Sequence, residues 1–89
     1  NNIDITNWDM KMTSSLALNV SGFSSSSSRE FQGKITSETL NVTPTESGNV
    51  TLDITLSSGS TTLKTSLSRP VLSEVKIVAD IQNRNSIQV

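Results

Sequence analysis

The chain lacks three of the residue types on which much protein chemistry depends. Among its 89 residues there is no cysteine, no histidine and no tyrosine. Without cysteine there is no disulfide and no thiolate to bind a metal or attack a substrate. Without histidine the commonest general base and the commonest ligand of transition metals are missing. The composition therefore predicts a protein that is not an enzyme, with no catalytic residues, no metal site and no cofactor.

Charged and aromatic residues are also scarce. Only 17% of the residues are charged, the net charge is −1, and the aromatic residues are Trp8, Phe23 and Phe31. So weak a charge gives no field to steer the chain onto nucleic acid or an anionic membrane. No apolar run approaches the length of about 18 residues that crosses a bilayer. We therefore expect no nucleic-acid partner and no insertion into a membrane.

Hydroxyl residues are abundant, with 17 serines and 11 threonines. Threonine favours strands, and serine suits turns and solvent-facing strand positions. A surface rich in hydroxyls and poor in charge is typical of secreted and surface-exposed β modules. The sequence starts at Asn1 rather than at methionine, which favours a processed or excised chain. We therefore expect an extracytoplasmic location: secreted, periplasmic or on the cell surface.

The clearest pattern is the stretch 50–67, in which two alternating runs are joined by a short Ser/Gly turn. Apolar residues fall at every second position of the first run, which places them on one face of a strand; they are Val50, Leu52, Ile54 and Leu56. A two-residue loop at Ser58-Gly59 predicts a hairpin. The predicted register pairs Ile54 with Leu63, Val50 with Leu67 and Asp53 with Lys64.

Shorter alternating segments surround this hairpin. The run 8–20 predicts a long strand with a bend at Ser14-Ser15, and Ser21 to Ser28 predicts an exposed loop. Pro70 is expected to end the strand before it, because proline has no N–H to donate. Short strands are predicted at 1–6 and 86–89, and the apolar alternation of the region 29–42 changes phase near 37–39. A further strand at 75–81 is expected in the interior of a sheet. A turn at 83–85 would join it to the last strand and set Ala79 opposite Val89.

These elements predict one all-β domain covering residues 1–89. No window shows the spacing and caps of a helix, so about seven strands with one apolar face each must cover one another. We expect a small antiparallel β-sandwich, with a small β-barrel as the alternative. The sandwich is immunoglobulin-like in scale only, because the Cys–Trp–Cys landmarks of immunoglobulin domains are missing.

Two hypotheses for function stand ahead of a third, a small enzyme, which would need a cleft with two carboxylates about 5–10 Å apart. The first is a structural, adhesive or assembly module that binds a protein partner or a second copy of itself by pairing strands at a sheet edge. The candidate edge residues are Ile3, Ile5, Ile87 and Val89. The alternative is a carbohydrate- or ligand-binding module with a glycan partner, in which Trp8 stacks on a sugar ring beside the Ser-rich loop. Its candidate residues are Trp8, Asp9, Phe23, Ser24 and Ser25.

Overall fold

The computed structural model describes residues 4–37, 39–80 and 86–88, and within these ranges it contains nine β-strands and no helix. No described residue belongs to a helix of the length and hydropathy needed to span a membrane. The strands are β1 (Asp9–Ser14), β2 (Leu18–Val20), β3 (Ser24–Ser27), β4 (Glu30–Lys34), β5 (Thr39–Pro44), β6 (Gly48–Ser58), β7 (Thr61–Val71), β8 (Ile77–Asp80) and β9 (Ser86–Gln88).

The strands form two antiparallel sheets. The larger sheet has the order β3-β4-β1-β6-β7, and the smaller sheet has the order β2-β5-β8-β9. The predicted all-β sandwich is confirmed, and the strands form two separate sheets rather than one closed barrel. The described ranges hold more strands than the predicted seven, because long alternating runs are divided where the chain changes sheet and because the Ser-rich segment is itself a strand.

The predicted bend at Ser14-Ser15 is one of these changes of sheet. β1 ends at Ser14 in the larger sheet, and β2 begins at Leu18 in the smaller one. The Ser14 hydroxyl accepts a hydrogen bond from the Leu16 N–H at 3.2 Å and donates to the Leu16 C=O at 2.6 Å. A serine at an otherwise apolar position thus satisfies the backbone of the bend from the buried side.

The core lies between the sheets and is centred on β6. Its four inward residues, Val50, Leu52, Ile54 and Leu56, are at most 1% exposed. They belong to one core cluster with buried residues of the smaller sheet, which are at most 4% exposed: Leu40, Val42, Ile77 and Ala79. The inward positions of β1, Met10 and Met12, complete the layer beside β6.

The β6–β7 hairpin has the predicted faces, but the predicted register is wrong by two residues. The loop is Gly59-Ser60 and Ser58 lies opposite Thr61, so that Leu56 faces Leu63 and Thr55 faces Lys64. Gly59 has a φ of +59°, as the first loop position of a type II′ turn requires. A shift of two keeps each side chain on its face, so the alternating pattern alone does not distinguish the two registers.

Four further predictions are corrected. Pro70 does not end its strand, because β7 continues to Val71. The Ser-rich segment is not a loop, since Ser24–Ser27 forms β3 at the edge of the larger sheet. β8 is interior, as predicted, but Ala79 lies opposite Ile87 rather than Val89. The predicted strand at 75–81 begins only at Ile77, and the predicted turn at 83–85 lies outside the described residues.

The bend between β1 and β2 is open to test with Ser14→Ala. The change leaves the Leu16 N–H and C=O without their hydroxyl partner in a partly buried position, so the free energy of unfolding should fall by about 1 kcal/mol. Urea unfolding followed by circular dichroism measures it. Ser60→Ala, at an exposed position of the hairpin loop, is the matched control and should change stability by less than about 0.5 kcal/mol. Equal losses in the two variants would contradict this role of Ser14.

Candidate functional site

Trp8 and Asp9 do not share one surface. Trp8 is half-buried and packs against the core, and its backbone bonds to Ile5 and to Ile35. Asp9 lies on the opposite side, as successive residues of an extended chain do, and forms an ion pair with Lys34 at 2.8 Å in which both side chains are about two-thirds exposed. The two residues therefore do not form a stacking platform with an adjacent acid.

Phe23 is also part of the packing. It is half-buried against the core, and its ring covers Gly33 so closely that a Cβ at that position would lie 2.5 Å from Phe23 Cδ1. Ser25 is exposed on β3, and the side chain of Ser24 is outside the described set. Both aromatic residues of the predicted sugar-binding surface are thus half-buried and pack against the core.

Of the four candidate edge residues, Ile87 is the one that the structure describes in an edge strand. Ile3 and Val89 lie outside the described residues. Ile5 belongs to no strand, and its side chain is 3% exposed in the core, so it is not available for pairing. Ile87 lies in β9, which is an edge strand of the smaller sheet but only three residues long.

The outer face of the larger sheet presents charges in rows that run across the strands. One row, which we name the basic row, consists of Gln32, Lys11, Thr55 and Lys64. The next, which we name the acidic row, consists of Glu30, Thr13, Asp53 and Ser66. Each row ends at β7, with Lys64 for the basic row and Ser66 for the acidic row. The two rows lie two residues apart along every strand, with the lysines of the basic row on β1 and β7 and the carboxylates of the acidic row on β4 and β6.

Open troughs run between these side chains. Two of about 440 and 450 Å³ lie on either side of Lys11 and Gln32, which line both, and a third of about 330 Å³ lies between Asp53 and Lys64. Small-molecule sites are usually enclosed and mainly apolar, whereas these troughs lie open on the outer face among charged and hydroxyl side chains. Among the residues described, no three acidic side chains approach one another closely enough to hold a metal ion.

The free edge of β7 is the least protected backbone of the larger sheet. Among the described strands, β7 has β6 as its one neighbour in the sheet, and it is 11 residues long. The other edge strands, β2, β3 and β9, have three or four residues, and β3 is interrupted by a bulge between Ser25 and Ser27. Short and bulged edges resist pairing with other chains, whereas a long regular edge invites it.

Backbone hydrogen bonds show which groups of β7 point to this edge. The Thr51 N–H of β6 donates to Ser15 Oγ at 2.8 Å and its C=O accepts the Ser15 N–H at 3.1 Å, so Thr51 bonds away from β7. Successive residues of a strand bond to opposite sides, and Leu52 therefore bonds to its partner Leu67. The alternate residues of β7 direct both backbone groups outward; they are Thr62, Lys64, Ser66 and Ser68.

Pro70 belongs to the same outward set, which explains why a proline is compatible with β7. Its missing N–H would point away from β6, and the ladder loses no bond. Its C=O accepts a hydrogen bond from Arg69 Nε at 3.4 Å. At this end of the edge, Pro70 therefore offers no N–H and a C=O that is already bonded. Sequence reasoning missed β7 as an edge. Pro70 within an alternating strand was the available signal, because proline in a sheet is confined mainly to edge strands.

At one end of the sandwich, the contacts of Glu46 hold together three of the segments that connect strands. Its carboxylate accepts the Ala17 N–H at 3.0 Å and a hydrogen bond from Arg29 Nη2 at 3.4 Å. The bond from Ala17, with a smaller contribution from Arg29, lowers the pKa of Glu46 below its ordinary value. Glu46 lies between β5 and β6, Ala17 just before β2, and Arg29 between β3 and β4.

Comparisons with protein-family models, curated proteins and solved structures found no match to this chain. Function is therefore inferred from two open surfaces of the described part of the chain. These are the outer face of the larger sheet, with its basic and acidic rows, and the free edge of β7.

The Glu46 contacts predict a loss of stability in acid. Because the pKa is lower in the folded state than the ordinary 4.5, the contribution of Glu46 to stability is present above about pH 4.5 and is lost as the pH falls through the folded pKa. Urea unfolding between about pH 6 and 3 should show a smaller loss for Glu46→Gln than for the wild type. Glu74→Gln, which removes an exposed carboxylate, is the control and should follow the wild type. A parallel decline in wild type and Glu46→Gln would refute the assignment.

Proposed function

We propose that this domain is a non-enzymatic assembly module that joins another protein chain through the free edge of β7. The observation that carries the proposal is an 11-residue edge strand for which β6 is the one hydrogen-bonded strand in the described part of the chain. Strand β9 of the smaller sheet lies near β7, but the described residues of the two strands form no ladder. An extended segment can add to such an edge as a further strand, because main-chain hydrogen bonds supply the affinity.

The side chains around the edge support strand addition. Outward positions carry small or flexible groups, which leave room for an approaching backbone; they are Thr62, Lys64, Ser66 and Ser68. On the inner side, Leu63 is only half-buried although it packs against the core. An added strand would cover its exposed part, so hydrophobic burial would reinforce the backbone bonds.

The composition supports a structural or adhesive setting for this module. The outer face is formed of hydroxyls and of charges of both signs, and the net charge of the chain is −1. Such a surface is soluble and gives no long-range attraction for nucleic acid. In our proposal the module belongs to a secreted, periplasmic or cell-surface protein. The alternative, glycan binding, has less support, since Trp8 and Phe23 both pack against the core.

Strand addition predicts that an unrelated extended peptide binds at β7. The protein is immobilised at low density, and a soluble peptide of alternating threonine and valine is passed over it while binding is followed by surface plasmon resonance. Ser66→Pro removes an outward N–H but leaves the bonds to β6, which the neighbouring residues make. We expect the peptide to bind the wild type and to bind Ser66→Pro about tenfold more weakly, a difference of about 1.4 kcal/mol.

The matched control is Ser66→Ala, which removes the hydroxyl and keeps the N–H. It should bind the peptide as the wild type does, and circular dichroism should show that all three proteins are folded. The absence of peptide binding to the wild type, or equal binding to Ser66→Pro, would rule out β7 as the contact.

A further inference from the structure

We infer that the strand that pairs with β7 is β7 of a second copy of this chain, in antiparallel order about a twofold axis at Thr65. This inference rests on the proposed use of the β7 edge and adds the identity of the partner and the register of the pairing. The contact would join two larger sheets into one continuous sheet. Three features of β7 select this register: its outward backbone groups, its inward leucines and the charge rows that end on it.

The backbone groups match in this register. Outward residues bond to outward residues, so Thr62 lies opposite Ser68 of the second copy, and Lys64 lies opposite Ser66 of the second copy. Each of the four outward residues then uses both its N–H and its C=O, which gives about eight hydrogen bonds. Pro70, which lacks an N–H, falls beyond the paired segment, opposite the turn residue Ser60.

The inward side chains match as well. About the same axis, Leu63 lies opposite Leu67 of the second copy, and the relation is repeated by the twofold symmetry. Leu67 is buried in its own chain, whereas Leu63 is half-buried. Residues at such non-hydrogen-bonded positions have close side chains. The contact would therefore cover the exposed part of both Leu63 side chains and extend the core across the axis.

The charge rows provide the third match. With Lys64 opposite Ser66 of the second copy, the basic row of one copy continues into the acidic row of the other, and this happens twice. Asp53 is the next residue in that acidic row. Its backbone lies about 10 Å from that of Lys64, two strand spacings away, and a lysine and an aspartate can reach across the intervening serine. In the described part of the chain neither Lys64 nor Asp53 forms an ion pair.

Neighbouring registers lack these matches. An axis at Lys64 sets the two Lys64 side chains directly opposite each other, which is destabilising. An axis at Ser66 sets Pro70 opposite Thr62, so the Thr62 C=O has no donor, and it sets Leu63 opposite Arg69. Lys64 and Pro70 thus disfavour these two registers, as edge lysines and prolines disfavour unwanted pairing in other sheets.

Reciprocal charge reversal tests both the partner and the register. In a dimer of Lys64→Glu, each new glutamate lies beside Asp53 of the other copy, and in a dimer of Asp53→Lys, each new lysine lies beside Lys64 of the other copy. Like charges then meet at both contacts, so each variant alone should dimerise about tenfold more weakly than the wild type. An equimolar mixture should form a heterodimer with near wild-type affinity, because both contacts again join opposite charges. Fluorescence-detected sedimentation with one labelled variant, from micromolar to millimolar protein at low ionic strength, measures these affinities.

The controls separate the possible outcomes. Lys76→Glu, an exposed charge reversal outside β7, should dimerise as the wild type does, and Ser66→Pro should be monomeric. A wild type that stays monomeric at millimolar concentration while it still binds the extended peptide would overturn the second copy as partner and leave the proposed function standing. Dimers whose charge variants do not complement each other would overturn the register. A monomeric wild type that also fails to bind the peptide would refute both.

Discussion

The burial of one face of β6 is the constraint on which the rest of the structure depends. Val50, Leu52, Ile54 and Leu56 are removed from water between the two sheets, and each such side chain contributes about 1.5–3 kcal/mol. Since neighbouring residues of a strand face opposite sides, this burial turns the intervening residues of β6 outward. The threonines, serines and charges of the outer face, including its basic and acidic rows, follow from the same alternation.

The free edge follows from the way the chain moves between the sheets. It leaves the larger sheet after β1 and after β4, and it returns for β3 and for β6. After the β6–β7 hairpin it leaves once more, at Val71, and supplies β8 and β9 to the smaller sheet. Among the described strands, β7 therefore has a hydrogen-bonded neighbour on one side only. Its length, set by pairing with all of β6, makes its edge the longest in the described part of the fold.

Local sequence predicted what depends on local periodicity. The two-sheet architecture, the bend at Ser14 and the faces of the hairpin follow from alternation. The register does not, because serines and Gly59 allow two loops that differ by two residues and preserve both faces. Edge positions depend on strand order, which is a property of the whole chain, so the local pattern points to the short terminal segments rather than to β7. Trp8 and Phe23 have only half-buried rings, a degree of packing that residue type does not reveal.

Residue-resolved amide hydrogen exchange tests the central claim that β7 has one bonded and one open side. In dilute protein, the amides of Leu63, Thr65 and Leu67 should be protected by β6, whereas those of Lys64, Ser66 and Ser68 should exchange rapidly. Raising the concentration should protect the second set. If the amides of Ser66 and Ser68 were as protected as that of Leu67 in dilute protein, the edge would be covered within one chain and the account would be contradicted.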